Sequence, residues 1–526
     1  MTQRRKIWPL SELAGELERC RHKNLRVVQC HGVFDLLHIG HIRHFEQARR
    51  QGDLLVITVT PDRFVNKGAN RPAFPQDLRI EVIAALDCVD YVAINEWPTA
   101  VETIRLLKPD IFAKGSEFKT GKDTTGHVLL EQETVRQAGG RMVFTEDITF
   151  SSSALINQYV AAYSEDVREY LTDFARRYSA DDALSYLKGA QSLKVLVVGE
   201  AIIDEYHSCE AIGKSGKEPV LATRYQSTDR SAGGALACAN HLAGFCSQVN
   251  LVTFLGQNGD HEEFVREHLK SNVVPNFLYK QNSPTIVKTR YVENYLSQKL
   301  FEVYHMNDDL LGEAEEAELS AVLEELVPQH DVVLVADYGH GILSPRVIEQ
   351  LCRSAKFLVV NTQSNAGNNG FNLISKYPRA DYVSLAHREF ALETRNRRLP
   401  PEAMIEHVSK KLNCPRVMLT QGKYGSLTYM EHEGFRRVPA LATKVVDRVG
   451  AGDAVLCITA LCVAQGAPAE IAGFIGNVVG AEAVTILGNE RFIERVPLYR
   501  HVECLLKFHQ PDAEAEKFKE TIRLVA

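Results

Sequence analysis

"LRVVQCHGVFDLLHIGH", residues 25–41, joins an apolar run, a glycine-containing turn and a polar, helical-looking segment. Within it His38 and His41 stand at i and i+3, so on a helix they share one face. Gly40 between them removes a side chain where a ligand could approach the backbone closely. A strand that opens into a helix presents bare N–H groups and the positive end of the helix dipole, which attract a phosphate. Imidazole donors beside those groups suit the charge that develops on phosphate oxygens during phosphoryl or nucleotidyl transfer. Two surface histidines on an ordinary helix would give the same letters, and a lone HxGH does not separate the readings.

Outward from this stretch, short apolar runs alternate with helical segments. "LLVITVT" and "YVAI" follow early; "VLVVGEAIID", "VNLVTFLG", "DVVLVADYG", "KFLVVNT", "DYVSLA" and "RVMLTQG" come later. Segments such as "AVETIRLL" and "EEAELSAVLEELV" between them carry apolar residues at helical spacing. Strands interleaved with helices predict an α/β protein of doubly wound sheets with helices on both faces. From about 153 to 190 the pattern becomes helix after helix, and "KVLVVGEAIIDEY" then restarts it. The expected organisation is an N-terminal α/β domain over 1–160, a helical connector over 161–192, a larger α/β domain over 193–510 and a tail over 511–526.

The bulk numbers agree. A chain of 526 residues exceeds one ordinary core. With 45% hydrophobic and 24% charged residues and a net charge of −7, it reads as globular, with no nucleic-acid partner expected. No apolar run approaches membrane-spanning length, and the start lacks a signal-peptide core. Eleven scattered cysteines without a CxxC pair read as buried free thiols of a cytoplasmic protein. His207, His305 and His340 lack convergent metal-ligand spacing.

Four stretches downstream of the histidine pair occur in a fixed order: "GDLLVITVTPD", "NKGANRP" with "DLRIEVIAAL", "KPDIFAKGSEF" and "TEDITFSSSALI". With "HGVFDLLHIGH" they resemble the cytidylyltransferase-like nucleotidyltransferases over about residues 25–160. The resemblance implies a Rossmann-like domain in which a substrate phosphate attacks a nucleotide α-phosphate and releases pyrophosphate, usually with Mg²⁺. It implies His38, His41 and Lys67 as the groups that stabilise the transition state. Phe34, Asp35, Gly40, Lys114, Ser151 and Ser152 would contact nucleotide or phosphate. Some relatives carry an arginine after the serine run, where this chain has Asn157.

The second anchor is "VVDRVGAGDAVLC", residues 445–457. Gly450 and Gly452 around Ala451 make a turn feeding a helix, whose bare N–H groups form an anion hole for a transferring phosphoryl group. Asp453 is placed to accept a hydroxyl proton. A glycine turn with Asp453 as a simple cap gives the same pattern. "VVGEAIIDEY", "SAGGALACANHLAGF", "TQGKYGS" and "DRVGAGD", in that order, resemble the ribokinase-type sugar kinases over about residues 193–495. That resemblance implies Asp453 as catalytic base and Gly450, Ala451 and Gly452 as the anion hole. Asp204, Gly233 and Gly234 would face the sugar, and Thr420, Gly422, Gly425 and Asn477 would lie along the ATP site. Glu389 would serve magnesium, and Asp447 a monovalent cation. The sequence departs from the family pattern at Ala237, at Ala386 of "AHRE" and in "NTQSNAGNNG", residues 361–370.

Together the two halves resemble the bifunctional heptose-phosphate kinase/adenylyltransferases that supply activated heptose for lipopolysaccharide, with the domain order reversed. The resemblance implies ATP-dependent phosphorylation of a sugar or sugar phosphate, heptose being the first candidate. AMP or CMP transfer from ATP or CTP to the sugar phosphate would follow, in a cytoplasmic homodimer. Two alternatives stay open: a different, CDP-linked sugar or polyol for a capsule, and an active transferase fused to a kinase-like binding module.

Overall fold

The structure, a computed structural model, describes residues 6–65, 71–118, 127–145, 163–293, 295 and 298–506. The chain divides into two compact units, Met1–Arg177 with Tyr499–Ala526, and Tyr178–Leu498. The connector expected from its composition is two helices, Glu165–Arg177 and Ala180–Gly189. The first belongs to one unit and the second to the other. Ser179 and Asp182 form a capping box that starts the second helix.

The first unit is built on β1 (Val27–Gly32), β2 (Leu54–Val59), β3 (Tyr91–Ile94), β4 (Ile111–Gly115) and β5 (Arg141–Thr145). They form one parallel sheet in the order β3-β2-β1-β4-β5. Both faces are covered, which is why these strands read as continuous apolar runs. Val28, Cys30, Leu55 and Ile57 pack with Phe45, Ala48, Ile80 and Ile83 on one face. Val27, Val56, Tyr91 and Ala93 meet Leu10, Leu13 and Leu17 on the other. The chain moves to one side of β1 for β2 and β3 and to the other for β4 and β5. A crevice therefore opens past the carboxyl ends of β1 and β4, the place where doubly wound sheets bind ligands. The histidine motif leaves β1 there.

The second unit has a nine-stranded sheet. Its members are β6 (Lys194–Gly199), β9 (Gln248–Gly256), β10 (Val273–Lys280), β13 (Val332–Asp337), β14 (Leu358–Thr362), β15 (Tyr382–Ala386), β16 (Arg416–Thr420), β17 (Ser426–Met430) and β18 (Gly434–Val438). The order is β10-β9-β6-β13-β14-β15-β16-β17-β18, parallel as far as β16 and antiparallel beyond it. A separate four-stranded sheet, β12-β11-β7-β8, comprises β7 (Ala201–Lys214), β8 (Leu221–Gly234), β11 (Ile286–Glu293) and β12 (Gln298–His305). The sequence pattern did not separate this second sheet, because "VLVVGEAIIDEY" reads as one strand. In the structure Glu200 divides it between the two sheets. Helices Ala451–Ala464 and Ala469–Ala483 are buried along most of their lengths, and the first packs on helix Ala235–Ala243 and on β15. All eleven cysteines are free, ten of them buried. No helix among the described residues is long and apolar enough to cross a membrane.

Helix Ala235–Ala243 is fixed at its end by His241, whose Nδ1 accepts a hydrogen bond of 3.0 Å from the Ile493 backbone. Burial, reinforced by the charge of Lys270, pushes the His241 imidazole down to about 3. The folded unit thus holds it neutral while the unfolded chain protonates it at an ordinary histidine value, so stability is present above that value and is lost as the pH falls toward 3. In thermal melts the wild type should lose stability at up to about 1.4 kcal/mol per pH unit below pH 6.5 from this group. His241→Gln should melt lower at pH 8 and show a shallower decline between pH 6 and 4; parallel slopes would refute the assignment.

Candidate active sites

In the first unit His38 caps helix Ile39–Arg49, with Nδ1 accepting from the Gly40 N–H at 3.2 Å. That bond fixes Nδ1 as acceptor and puts the proton of the neutral ring on Nε2, the donor a phosphate oxygen needs. The His38 and His41 rings stack, centroids 3.9 Å apart and planes 26° apart. Phe34 stands edge-on to His41 at 5.3 Å and to Phe45 at 5.0 Å. Phe34 has a left-handed backbone, φ 49°. Its ring folds back over Gly32, where a Cβ would come within 2.9 Å of it. The two expected imidazoles are thus brought together, and Phe34 is the surface that sets the angle of His41.

Asp35, expected to contact nucleotide, is held by contacts within the protein. Its side chain is 1% exposed, accepts from the Phe74 backbone at 3.1 Å and pairs with Arg71 at 3.3 Å. Asp35 therefore ties the chain entering helix Gln76–Ala84 to the histidine turn. Arg79 on that helix, also buried, bonds the carbonyls of Val33, Thr60 and Phe74 and pairs with Asp62. One guanidinium thereby fixes the ends of both β1 and β2. Lys114, at the end of β4, is paired with Glu131 and lies 4.8 Å from the Phe118 ring. Burial and then the Lys114 charge push His31 down to about 3, keeping that imidazole neutral between Thr58 and Thr60. Lys67, Ser151 and Ser152 lie outside the described residues, as does Asn157.

In the second unit Gly450 is in the left-handed region, φ 76°, and precedes helix Ala451–Ala464. A Cβ there would meet the Asn489 amide oxygen at 2.2 Å, whereas one at Gly452 would meet nothing within 4 Å. The first glycine is required by fit, and the second faces open space at the helix start. Asp453, 5% exposed, accepts from Asn361 at 3.2 Å and Gln363 at 2.5 Å. Burial pushes its carboxyl up to about 7, opposed by hydrogen bonds from Tyr338 and Gln363 and by the Lys288 charge, and assisted by Asp204. A carboxylate held near neutrality is what a general base requires.

Asp204 is anchored by Arg290 at 2.5 Å and Asn489 at 2.8 Å. Gly233 pairs with Ile202 on the neighbouring strand, diagonal to Asp204, and a Cβ there would come within 2.1 Å of the Asp204 Oδ2. Gly234, at φ 57°, starts helix Ala235–Ala243, in which Ala237 is buried. Lys288, 6% exposed, faces the Tyr304 ring at 5.2 Å and lowers the proton affinity of Asp453. The groups expected around the sugar and the base do converge past the ends of β6, β13 and β14.

On the expected ATP side, Thr420 ends β16 opposite Ser426 on β17, and Ser426 accepts from Asn477 at 2.7 Å. Gly422 has φ 56° and open space around it. Gly425, at φ 83°, is needed for packing, because a Cβ would meet the Val438 carbonyl at 2.0 Å. Glu389 fits a metal: its Oε2 is buried without a hydrogen-bond partner, and burial raises its pKa. Ala386, which replaces the family's asparagine, is the exposed residue before that helix. Asp447, expected to hold a monovalent cation, has both oxygens engaged by N–H and O–H donors, Lys299 among them. Among the described residues no cluster of three or more His, Cys, Asp or Glu side chains could hold a metal.

Several of these residues escaped the reading of motifs. Gln363 lies in "NTQSNAGNNG", which stood out for its departure from the family pattern and in fact supplies a hydrogen bond to Asp453. Asn489 and Lys299 carried no local signal.

Residues 192–493 match the pfkB family of carbohydrate kinases, and residues 30–158 match the cytidylyltransferase-like family. The bifunctional protein HldE of Desulfatibacillum aliphaticivorans is 38% identical over 155 residues, 29% of this chain and 30% of that protein. The HldE of Syntrophotalea carbinolica is 39% identical over 129 residues, 24% of this chain and 25% of that protein. These matches fall in the N-terminal part, so the chain spans about a third of the length of the curated relatives it matches. Phosphofructokinase-2 from Escherichia coli, in a crystal structure with potassium, shares the fold over 60% of this chain and 99% of its own, with TM-score 0.50 and 16% identity. The match over residues 192–493 covers more than half of the sequence, and with it the chain belongs to the pfkB carbohydrate kinase family, carrying a cytidylyltransferase-like domain ahead of the kinase domain.

Proposed function

We propose that the chain is a bifunctional enzyme of sugar-nucleotide synthesis. Its second unit phosphorylates a sugar or sugar phosphate with ATP, heptose being the first candidate. Its first unit transfers AMP or CMP to the sugar 1-phosphate. The observation that carries the kinase half is the buried Asp453 carboxyl, raised to about 7 directly behind a glycine-opened helix start. In that step the sugar hydroxyl oxygen attacks the γ-phosphorus of ATP, its proton passes to Asp453, and ADP leaves. Asp204, held by Arg290 and Asn489, orients the sugar. Gly450, Ala451 and Gly452 offer backbone N–H groups to the transferring phosphoryl oxygens. Glu389, whose buried Oε2 has no hydrogen-bond partner, would hold Mg²⁺, which would supply neutralising charge at the phosphates.

In the transferase half an oxygen of the sugar phosphate attacks the nucleotide α-phosphorus and pyrophosphate leaves. No protein nucleophile is required. The stacked His38 and His41 rings donate to the phosphate oxygens, and Lys67, Lys114, Ser151 and Ser152 complete the nucleotide contacts. The two reactions form a sequence, since the kinase places a phosphate where the transferase needs one. ATP and sugar phosphates as substrates support a cytoplasmic site of action, and a homodimer completes the reading.

A screen of sugars and sugar phosphates with ATP and CTP, reading ADP and pyrophosphate separately, tests both halves. Asp453→Asn should lower ADP release by about a thousandfold while leaving pyrophosphate release intact. His41→Ala should do the reverse, lowering pyrophosphate release by about a hundredfold. Pyrophosphate release without Asp453-dependent ADP release from any acceptor would instead make the second unit a binding module. Because the base must be ionised, kcat/KM of the kinase step should fall about tenfold per pH unit below pH 7. A profile flat from pH 8 to 5.5 would remove Asp453 from that role.

A further inference from the structure

The loop that opens the anion-hole helix is organised by one carboxylate. Oδ1 of Asp447 accepts from Lys299 Nζ at 2.8 Å and from the backbone N–H groups of Arg448 at 2.7 Å and Val449 at 3.3 Å. Oδ2 accepts from the Tyr206 hydroxyl at 3.0 Å and the Gly488 N–H at 3.1 Å. A carboxylate offers about four lone-pair positions, so these donors saturate it. The Val484 carbonyl beside it is also engaged, accepting from Val446 at 2.7 Å and from Asp447 at 3.2 Å. Gly488, at φ 51°, lets the Tyr206 ring close in, because a Cβ there would lie 2.8 Å from its hydroxyl oxygen. The Lys299 ammonium stands 5.7 Å from the same ring.

A monovalent cation at Asp447 does not fit this arrangement. An ion needs oxygen lone pairs, and here hydrogen-bond donors point at all of them. It would also sit within about 4 Å of the Lys299 ammonium, a repulsion worth about a thousandfold in affinity at the effective dielectric of a protein surface. Lys299 is carried by β12, and its neighbour in register, Val292, follows Arg290 on β11. The four-stranded sheet therefore sends Arg290 to Asp204 and Lys299 to Asp447.

We propose that Lys299 is the kinase site's own fixed cation: it replaces a monovalent ion at Asp447, positions the loop of the anion hole, and makes phosphoryl transfer independent of potassium or sodium. Lys299 is a positioning residue, acting on the phosphoryl group through Asp447 and the backbone of residues 448–452. The proposal rests on the kinase reading of the second unit.

The test uses the full-length protein at constant ionic strength, with tetramethylammonium, sodium or potassium chloride. Wild-type ADP release should differ by less than about twofold among the three salts, and its melting temperature should be the same in each. Lys299→Met should lose at least about tenfold in kcat in tetramethylammonium. It should recover activity, and gain melting temperature, on addition of potassium. Lys299→Arg should keep cation independence. Wild-type activation of tenfold or more by potassium, or a Lys299→Met enzyme fully active in tetramethylammonium, would overturn the proposal. If no acceptor gives Asp453-dependent ADP release, the kinase reading has failed. The melts then still decide: potassium must stabilise Lys299→Met and not the wild type. If Lys299→Met does not fold, a Lys299→Arg protein whose melting becomes potassium-dependent counts against the proposal.

Discussion

Parallel strands cannot be joined by tight turns; each must be followed by a crossover, usually a helix, before the next can pair. That constraint brings the amino ends of the helices to the edge of the sheet at which the strands finish. Where the chain switches sides of its first strand, two such exits diverge and leave a gap. Both units inherit their chemistry from that gap. In the first, β1 delivers the histidine turn into it and β4 delivers Lys114. In the second, Tyr338 follows β13 and Asn361 and Gln363 stand at the end of β14, and all three serve Asp453. Little else about the two units is alike.

The electrostatics of the units diverge. The first keeps imidazoles neutral: His31 by burial beside Lys114, and His44, held by Thr145, by burial. Neutral imidazole donates a hydrogen bond without carrying a proton away, which suits a reaction that needs no base. The second unit keeps a carboxyl poised to take a proton. Asp204 raises its proton affinity and Lys288 lowers it, so the value reflects a balance of nearby charges as well as burial.

What was legible in the sequence follows the period of burial. Strands covered on both faces, such as Leu54–Val59, Val332–Asp337 and Arg416–Thr420, announce themselves as unbroken apolar runs. The glycine-flanked helix starts were equally visible, since few residues other than glycine adopt φ near 76° at Gly450. The four-stranded sheet was not, because β8 is largely exposed and carries Arg224, Gln226, Asp229 and Arg230 among its residues. The supporting shell was also hidden. Lys299 and Asp447 are 148 residues apart, and Asp204 and Asn489 are 285 apart. Spacing along a chain reports neighbours on one element, and these pairs are made only when separate elements close on one another. Asp35 shows the converse: it sits inside the most recognisable motif, yet its buried pairing with Arg71 gives it structural work.

Strand β7 runs from Ala201, which pairs with Gly234, to Lys214, with register shifts against β8 after Ser208 and after Ala211. Asp204 lies near its inner end, and a strand rises ~3.3 Å per residue, so Lys214 stands roughly 30 Å away. A tilt of about five degrees at the root displaces the far end by roughly 3 Å, larger than most side-chain adjustments within a packed core. The far end of the strand is exposed, so a fluorophore or spin label placed there would register a movement of the root without entering the site.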